Sequence, residues 1–161
     1  MIPAQKDVSA LLAADLSARL PGAVRDIVHS RGECQLLVES PRLVDLARFL
    51  KEERPWQFAF LANLSPVDWL GRAPRFEVVY HLRSLVFNYR LGLKADVPDE
   101  TLTLPSLTGV WRAADWLERE AYDLYGIRFD GHPDLRRIMM AEDWEGHPYR
   151  KDYPLEGRGG A

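Results

Sequence analysis

The side chains best able to do chemistry gather in one short run, Glu118-Arg119-Glu120 followed by Asp123. Carboxylates this close together can serve general acid–base catalysis if they face a common cleft. Helical spacing offers a plainer reading, in which Asp115 pairs with Arg119 and Arg119 with Asp123, each pair worth roughly 0.2–0.5 kcal/mol. Glu120 stands apart, because a helix sets it at the border of an apolar arc, beside Leu117 and Leu124. A partly buried carboxylate needs a partner, which favours a structural or interface role for Glu120 over catalysis. His132 and His147 could join Asp134 or Asp152 around a metal ion. Neither belongs to the close His pair of zinc motifs, however, and both precede proline, so turn or interface histidines are expected. His29 and His81 read as ordinary strand residues. Cys34 is the single cysteine, which excludes an internal disulfide and a thiolate-held iron–sulfur cluster. The alternating run around it makes it a buried core thiol.

Two basic pairs, Arg136-Arg137 and Arg150-Lys151, could meet phosphate or acidic headgroups. Asp134, Glu142, Asp143, Glu145 and Asp152 lie among them and weaken any such field, so protein carboxylates suit them better. Gly157, Gly159 and Gly160 follow no strand and precede no helix, so they form no nucleotide loop. No nucleophile–base pair can be assigned, and the chain reads as a binding module. A net charge of -3 over 161 residues argues against a dedicated nucleic-acid binder. No run of about 18 apolar residues occurs, so no span of a membrane is expected. The first residues lack a basic-then-apolar leader, so the protein is expected to remain inside the cell.

Periodicity supplies the elements that must position these groups. Residues 8–20 place Val8, Leu11, Leu12, Leu16 and Leu20 on one helical stripe that Pro21-Gly22 ends. Strands follow over 23–29 and 34–39 around the turn Ser30-Arg31-Gly32, with Cys34, Leu36 and Val38 on one face. Ser40-Pro41 supplies an N-cap and first-turn proline for a helix whose inner face is Leu43, Leu46, Ala47 and Leu50. Three strands come next, with inward sets Phe58, Phe60, Ala62, Leu64, then Phe76, Val78, Tyr80, Leu82, then Leu85, Phe87, Tyr89, Leu91, Leu93. Val79, Leu61 and Val86 fall on the outer face, leaving room there for a partner. A third helix after Pro105, capped by Thr108, carries Val110, Ala114, Leu117, Ala121 and Leu124 inward and ends at Gly126. This order predicts an α+β fold in two layers, with helices on one face of a mostly antiparallel mixed sheet.

From Ile127 onward neither period holds. Prolines, two Gly-His-Pro triplets and charges of both signs alternate with Phe129, Leu135, Ile138, Met139, Met140, Trp144, Tyr149 and Tyr153. A disordered tail would lack these aromatics, and so long a loop is uncommon inside a compact domain. The chain therefore divides into a globular part, residues 1–126, and an extended arm, residues 127–161, lying along another protein. About 30 residues reach at most roughly 100 Å. Fast amide hydrogen exchange over 127–155 is expected of the isolated chain.

The run Glu118-Arg119-Glu120-Ala121-Tyr122-Asp123-Leu124-Tyr125-Gly126-Ile127 continues through Phe129 to Gly131-His132-Pro133-Asp134-Leu135-Arg136-Arg137-Ile138. It resembles the signature of the family of C subunits of NADH-quinone oxidoreductase, respiratory complex I. Trp144-Glu145-Gly146-His147-Pro148-Tyr149-Arg150-Lys151-Asp152-Tyr153-Pro154-Leu155 resembles the same family's arm, and Phe76–Tyr80 and the Trp111 helix resemble it more loosely. Tyr125 stands where phenylalanine is frequent and Tyr149 where leucine is, and both keep the bulk. The resemblance implies a peripheral subunit on the cytoplasmic side of a bacterial membrane. It would sit against the large quinone-site subunit and near the iron–sulfur subunits of a proton-translocating complex. It also implies no cofactor in this chain, with FMN and the iron–sulfur clusters in other subunits.

On that reading no catalytic, cofactor-binding or metal-binding residue is expected. The partner contacts would be Glu118, Arg119, Glu120, Asp123, His132, Arg136, Arg137, Trp144, His147, Arg150, Lys151, Asp152 and Tyr153. The nearest alternative is the equivalent subunit of a complex fed by ferredoxin, reduced deazaflavin or a hydrogenase. A free-standing hydrolase would need Glu120 to converge with His132 or His147.

Overall fold

The computed structural model describes residues 5–30 and 33–154, with side chains from Ser9 onward. Arg31, Gly32, the side chain of Val8 and residues 155–161 lie outside the described set, and with them the tip of the expected turn and the three terminal glycines. The elements are α1 (Gln5–Arg19), β1 (Val24–Ser30), β2 (Glu33–Val38), α2 (Leu43–Glu52), β3 (Phe60–Asp68), β4 (Phe76–Ser84), β5 (Tyr89–Val97), β6 (Thr103–Pro105), α3 (Ala114–Tyr125) and β7 (Arg128–Asp130).

Strands β1 to β5 form one mixed sheet in the order β1-β2-β5-β4-β3. The β2–β5 pair is parallel and the other pairs are antiparallel. The inner pairs of β4 and β5 follow from the pleat: Phe76 faces Val97, Val78 faces Ala95, Tyr80 faces Leu93 and Leu82 faces Leu91. All eight are buried. Leu12 and Leu16 of α1, Leu43, Leu46, Ala47 and Leu50 of α2, and Ala114 and Ala121 of α3 close over them in one apolar core. The α+β class and the mixed sheet thus agree with the sequence pattern. Among the described residues no helix is long and apolar enough to cross a membrane.

Several local expectations are corrected. Leu11 points away from the core, whereas Leu12 and Leu16 hold the buried stripe of α1. A bulge between Leu61 and Asn63 shifts the phase of β3, so Leu61 is buried while Phe60 and Ala62 face outward. One extra residue inverts alternation, and periodicity cannot see it. Val79 keeps the outer face, between its cross-strand neighbours Ser65 and Lys94, and is covered there rather than exposed. Leu85 and Val86 are exposed at the β4–β5 turn, where Asn88 takes a φ of 56°.

Ser40 caps no helix. It lies in a 3₁₀ turn ahead of α2 and donates its hydroxyl hydrogen to the Asp96 carbonyl at 2.5 Å. Nor does Thr108 cap α3, which begins six residues later at Ala114 after a series of turns. Sequence places Leu117 in the inner arc, and it is only half-buried.

Candidate functional site

The last third of the chain is organised by the C-terminal end of α3. An α-helix leaves its final four carbonyl groups without partners of its own. Here each finds one. Gly126 donates its amide to Tyr122 O at 2.8 Å, and Tyr149 donates to Leu124 O at 3.1 Å. His147 Nδ1 lies 2.8 Å from Asp123 O, and Arg150 Nε donates to Tyr125 O at 2.6 Å. A carbonyl only accepts, so the His147 proton resides on Nδ1. Burial pushes that ring below its ordinary pKa, which keeps it neutral and suited to this role. The second Gly-His-Pro triplet and the arginine after it therefore cap a helix.

Gly126 makes the capping possible in two ways. Its φ of 75° is left-handed, and a Cβ there would lie 2.5 Å from both His147 and Arg150. Gly126→Ala is expected to cost about 2–4 kcal/mol, combining left-handed strain with displacement of the two caps. Urea unfolding of the isolated chain checks this, and a loss below about 1 kcal/mol would show that the caps are not seated.

Asp123 is fully buried. Its Oδ2 accepts from the amides of Ile138 at 3.0 Å, Met139 at 2.7 Å and Met140 at 2.9 Å. Its Oδ1 accepts from Arg137 Nη1 at 2.7 Å, and Arg137 Nη2 also donates to Gly146 O at 3.1 Å. Burial alone would push this carboxyl up, but the three amides and Arg137 outweigh it and hold it below the usual carboxylate range. The arm residues are thus tied to their own helix, and the amides of 138–140 should exchange slowly rather than fast.

Glu118 is the second fully buried acid of α3. Its Oε2 accepts from the Ser106 hydroxyl at 2.6 Å and its Oε1 from the Leu107 amide at 2.7 Å. These bonds pin the segment before α3 to the helix. Burial pushes its carboxyl up to about 7, against the opposing pull of the two donors.

Sequence reasoning assigned partial burial to Glu120, but Glu120 is exposed and Glu118 and Asp123 are buried. A single amphipathic arc assumes one covered face, whereas α3 is covered by the sheet on one side and by the arm on another. The expected ladder Asp115–Arg119–Asp123 is likewise absent among the described ion pairs. Arg119 donates to Arg136 O at 3.2 Å and stacks over the exposed Trp116 ring at 5.0 Å.

His132 and His147 sit at opposite ends of α3. Nε2 of His132 is 3.1 Å from Asp115 O, and its Nδ1 accepts from the Asp134 amide at 3.0 Å. The two rings therefore do not converge with Glu120. Among the described residues no cluster of three His, Cys, Asp or Glu side chains is placed to hold a metal ion. Arg136 bonds Asp134 at the surface, Trp144 is partly exposed, and the Tyr153 hydroxyl donates to Glu145 O at 3.2 Å.

One centre was missed from sequence. Arg75 grips Asp68 through Nε at 2.9 Å and Nη2 at 2.7 Å. It also grips Asp152 through Nη1 at 3.0 Å and Nη2 at 2.6 Å. The Lys151 amide adds a bond to Asp68 at 2.9 Å, and both Arg75 and Arg150 stack over Phe76. The β3–β4 end of the sheet is thereby joined to the arm. Residues 77 apart leave no periodic trace of such a pair.

Comparisons with known proteins place this architecture. The C subunit of NADH-quinone oxidoreductase from Roseiflexus sp. (strain RS-1) is 51% identical over 140 residues, covering 87% of this chain and 80% of the relative. The protein of the same name from Geobacter sulfurreducens is 47% identical over 143 residues, 88% of this chain and 87% of the relative. A solved trypsin-resistant fragment (1-134) of Nqo5 superposes with a TM-score of 0.64 at 34% identity, covering 78% of this chain and 98% of that one. A chain of the membrane-bound sulfane sulfur reductase, an archaeal respiratory membrane complex, shares the fold at a TM-score of 0.77 and 22% identity, covering 92% of this chain and 86% of that one. The family model described as respiratory-chain NADH dehydrogenase, 30 Kd subunit, matches residues 36–159, and the chain belongs to that family.

Proposed function

We propose that this chain is the cofactor-free connecting subunit of a proton-translocating NADH-quinone oxidoreductase. It would join the quinone-site large subunit to the iron–sulfur subunits on the cytoplasmic side of the membrane. The single observation that carries the connecting role is the set of large side chains exposed around α3 and the arm. Trp116, Met139 and Tyr149 are each about 60% exposed, and Trp144 is also uncovered. Trp, Tyr and Met are enriched at protein interfaces. A buried framework holds them in place: the Met139 amide is bonded to Asp123, and the Tyr149 amide to Leu124 O.

The candidate residues divide by role on this reading. Glu118, Arg119, Asp123, His132, Arg137, His147, Arg150 and Tyr153 fix the shape of the surface. Asp152 is held by Arg75 and ties the arm to the sheet, while Glu120, Arg136, Trp144 and Lys151 stay accessible to partners. Arg150→Ala should then lower the amount of assembled complex more than turnover per complex. Normal assembly with lost turnover would point instead to a direct part in electron or proton transfer.

The deciding experiment is purification of the tagged chain from gently solubilised membranes of its native host. Iron–sulfur and flavin subunits with NADH-quinone activity are the expected companions. Recovery of the chain alone would defeat the connecting role. The fold shared with the sulfane sulfur reductase complex favours one second reading, a related complex with another electron donor. Iron–sulfur partners without a flavin subunit, with dissociation during purification excluded, would select it.

A further inference from the structure

A groove of about 200 Å³ runs between β3 and the C-terminal half of α3. Leu64 and Leu124 give it an apolar floor, and Asn63 and Ser65 line one wall. Tyr125 and Tyr149 stand on the other side, edge to face, with ring centroids 5.8 Å apart. Glu120 lines the same groove and is exposed.

The other acids of α3 are engaged. Asp115 lies 3.6 Å from His132 Nε2, while Glu118 and Asp123 hold the donors already described. The Glu120 carboxylate has no hydrogen bond or ion pair among the described residues. A protein surface that covered the tyrosines and Trp116, one helical turn before Glu120, would strip water from this carboxylate. A charge desolvated without a counter-charge is strongly unfavourable, so the covering partner must bring a cation.

We propose that this groove receives an arginine side chain from a partner subunit of the same complex, paired with Glu120 and stacked against the tyrosine rings. The inference rests on the connecting role above and names the chemistry of one contact within it. A guanidinium is planar, so its fork matches a carboxylate through two parallel N–H bonds while its flat face stacks on an aromatic ring, whereas an ammonium is a point charge with neither fork nor flat face. The position of β3 narrows the mode of docking. It is an edge strand, and Pro66, which also lines the groove, offers no amide for strand addition. Recognition therefore falls to the side chain.

The test places a photo-crosslinking benzoylphenylalanine at Tyr149 of the tagged chain in its native host. The complex is irradiated and purified, and the linked peptide is identified by mass spectrometry. The expected peptide carries an arginine. Glu120→Arg should lower the assembled complex at least about tenfold. Changing that arginine to glutamate in the same cells should restore it. Thermal unfolding of the isolated Glu120→Arg chain should match wild type, because the side chain is exposed, so the loss is not misfolding.

Unchanged assembly of Glu120→Arg, or a linked peptide without an arginine, overturns the groove assignment while the connecting role stands. If even the wild-type chain recovers no partners, the connecting role itself has failed, a result distinct from the first two.

Discussion

Asp123→Asn is expected to remove about 3–5 kcal/mol of stability from the isolated chain, a large share of the total for a domain of this size. Asn keeps the volume but loses the charge that Arg137 faces and one of the two acceptor oxygens. Arg137 is then left in a mostly buried position without a counter-charge. Asn offers one neutral oxygen, so its NH2 group must face either Arg137 or the amides of Ile138, Met139 and Met140 that converge on one carboxylate oxygen in wild type. An uncompensated buried group costs far more than an average hydrogen bond contributes. Two measurements check this. Urea unfolding gives the loss, and amide exchange at 138–140 should pass from slow in wild type to fast in the variant. If those amides exchange fast in wild type, the arm is not docked on α3 and the residue roles assigned above fall.

The second large effect is a dependence on pH. The Glu118 carboxyl rises from an ordinary value of 4.5 to about 7 in the folded chain. Between these values the native state holds a proton that the unfolded state has released. Its stabilising contribution is therefore complete below about pH 4.5 and is lost as pH rises through 7. Over that interval the loss amounts to roughly 3 kcal/mol. His147 acts in the opposite sense. Its depressed folded value favours the native state above the unfolded value of 6.5. Asp68, Asp123 and Asp152 also favour the native state as pH rises, but only over a range below 3.8.

The total curve therefore mixes signs, and Glu118→Gln isolates one term. Gln mimics the protonated acid, since its oxygen can accept from Leu107 and its amide can donate to Ser106. The difference in stability between variant and wild type should grow in favour of Gln from pH 5 to pH 8. A difference that stays flat across this range would place the Glu118 pKa near its ordinary value.

Much of the fold was legible because it is written in short periods. Alternation through Phe76–Leu82 and Tyr89–Leu93 located β4 and β5, and helical spacing through Leu43–Leu50 located α2. The same method failed at β3, where one bulged residue inverts the faces. It also failed at Ser40, whose hydroxyl bonds a carbonyl of β5, and at Thr108, whose hydroxyl meets Ser106 rather than a helix end.

In the site, sequence singled out the right run of acids and the wrong glutamate. Period 3.6 reports a helix lying on one surface, and α3 lies between two. What sequence determined by itself was the α+β class, the single core and the family, because each rests on residue type and order along a continuous stretch. Tertiary structure alone decided that Asp123 binds the 138–140 amides, that His147 and Arg150 cap α3, and that Arg75 joins Asp68 to Asp152. The physical reason is that a buried charge takes its donors from whatever the fold brings within about 3 Å, and here those donors lie up to 83 residues away along the chain.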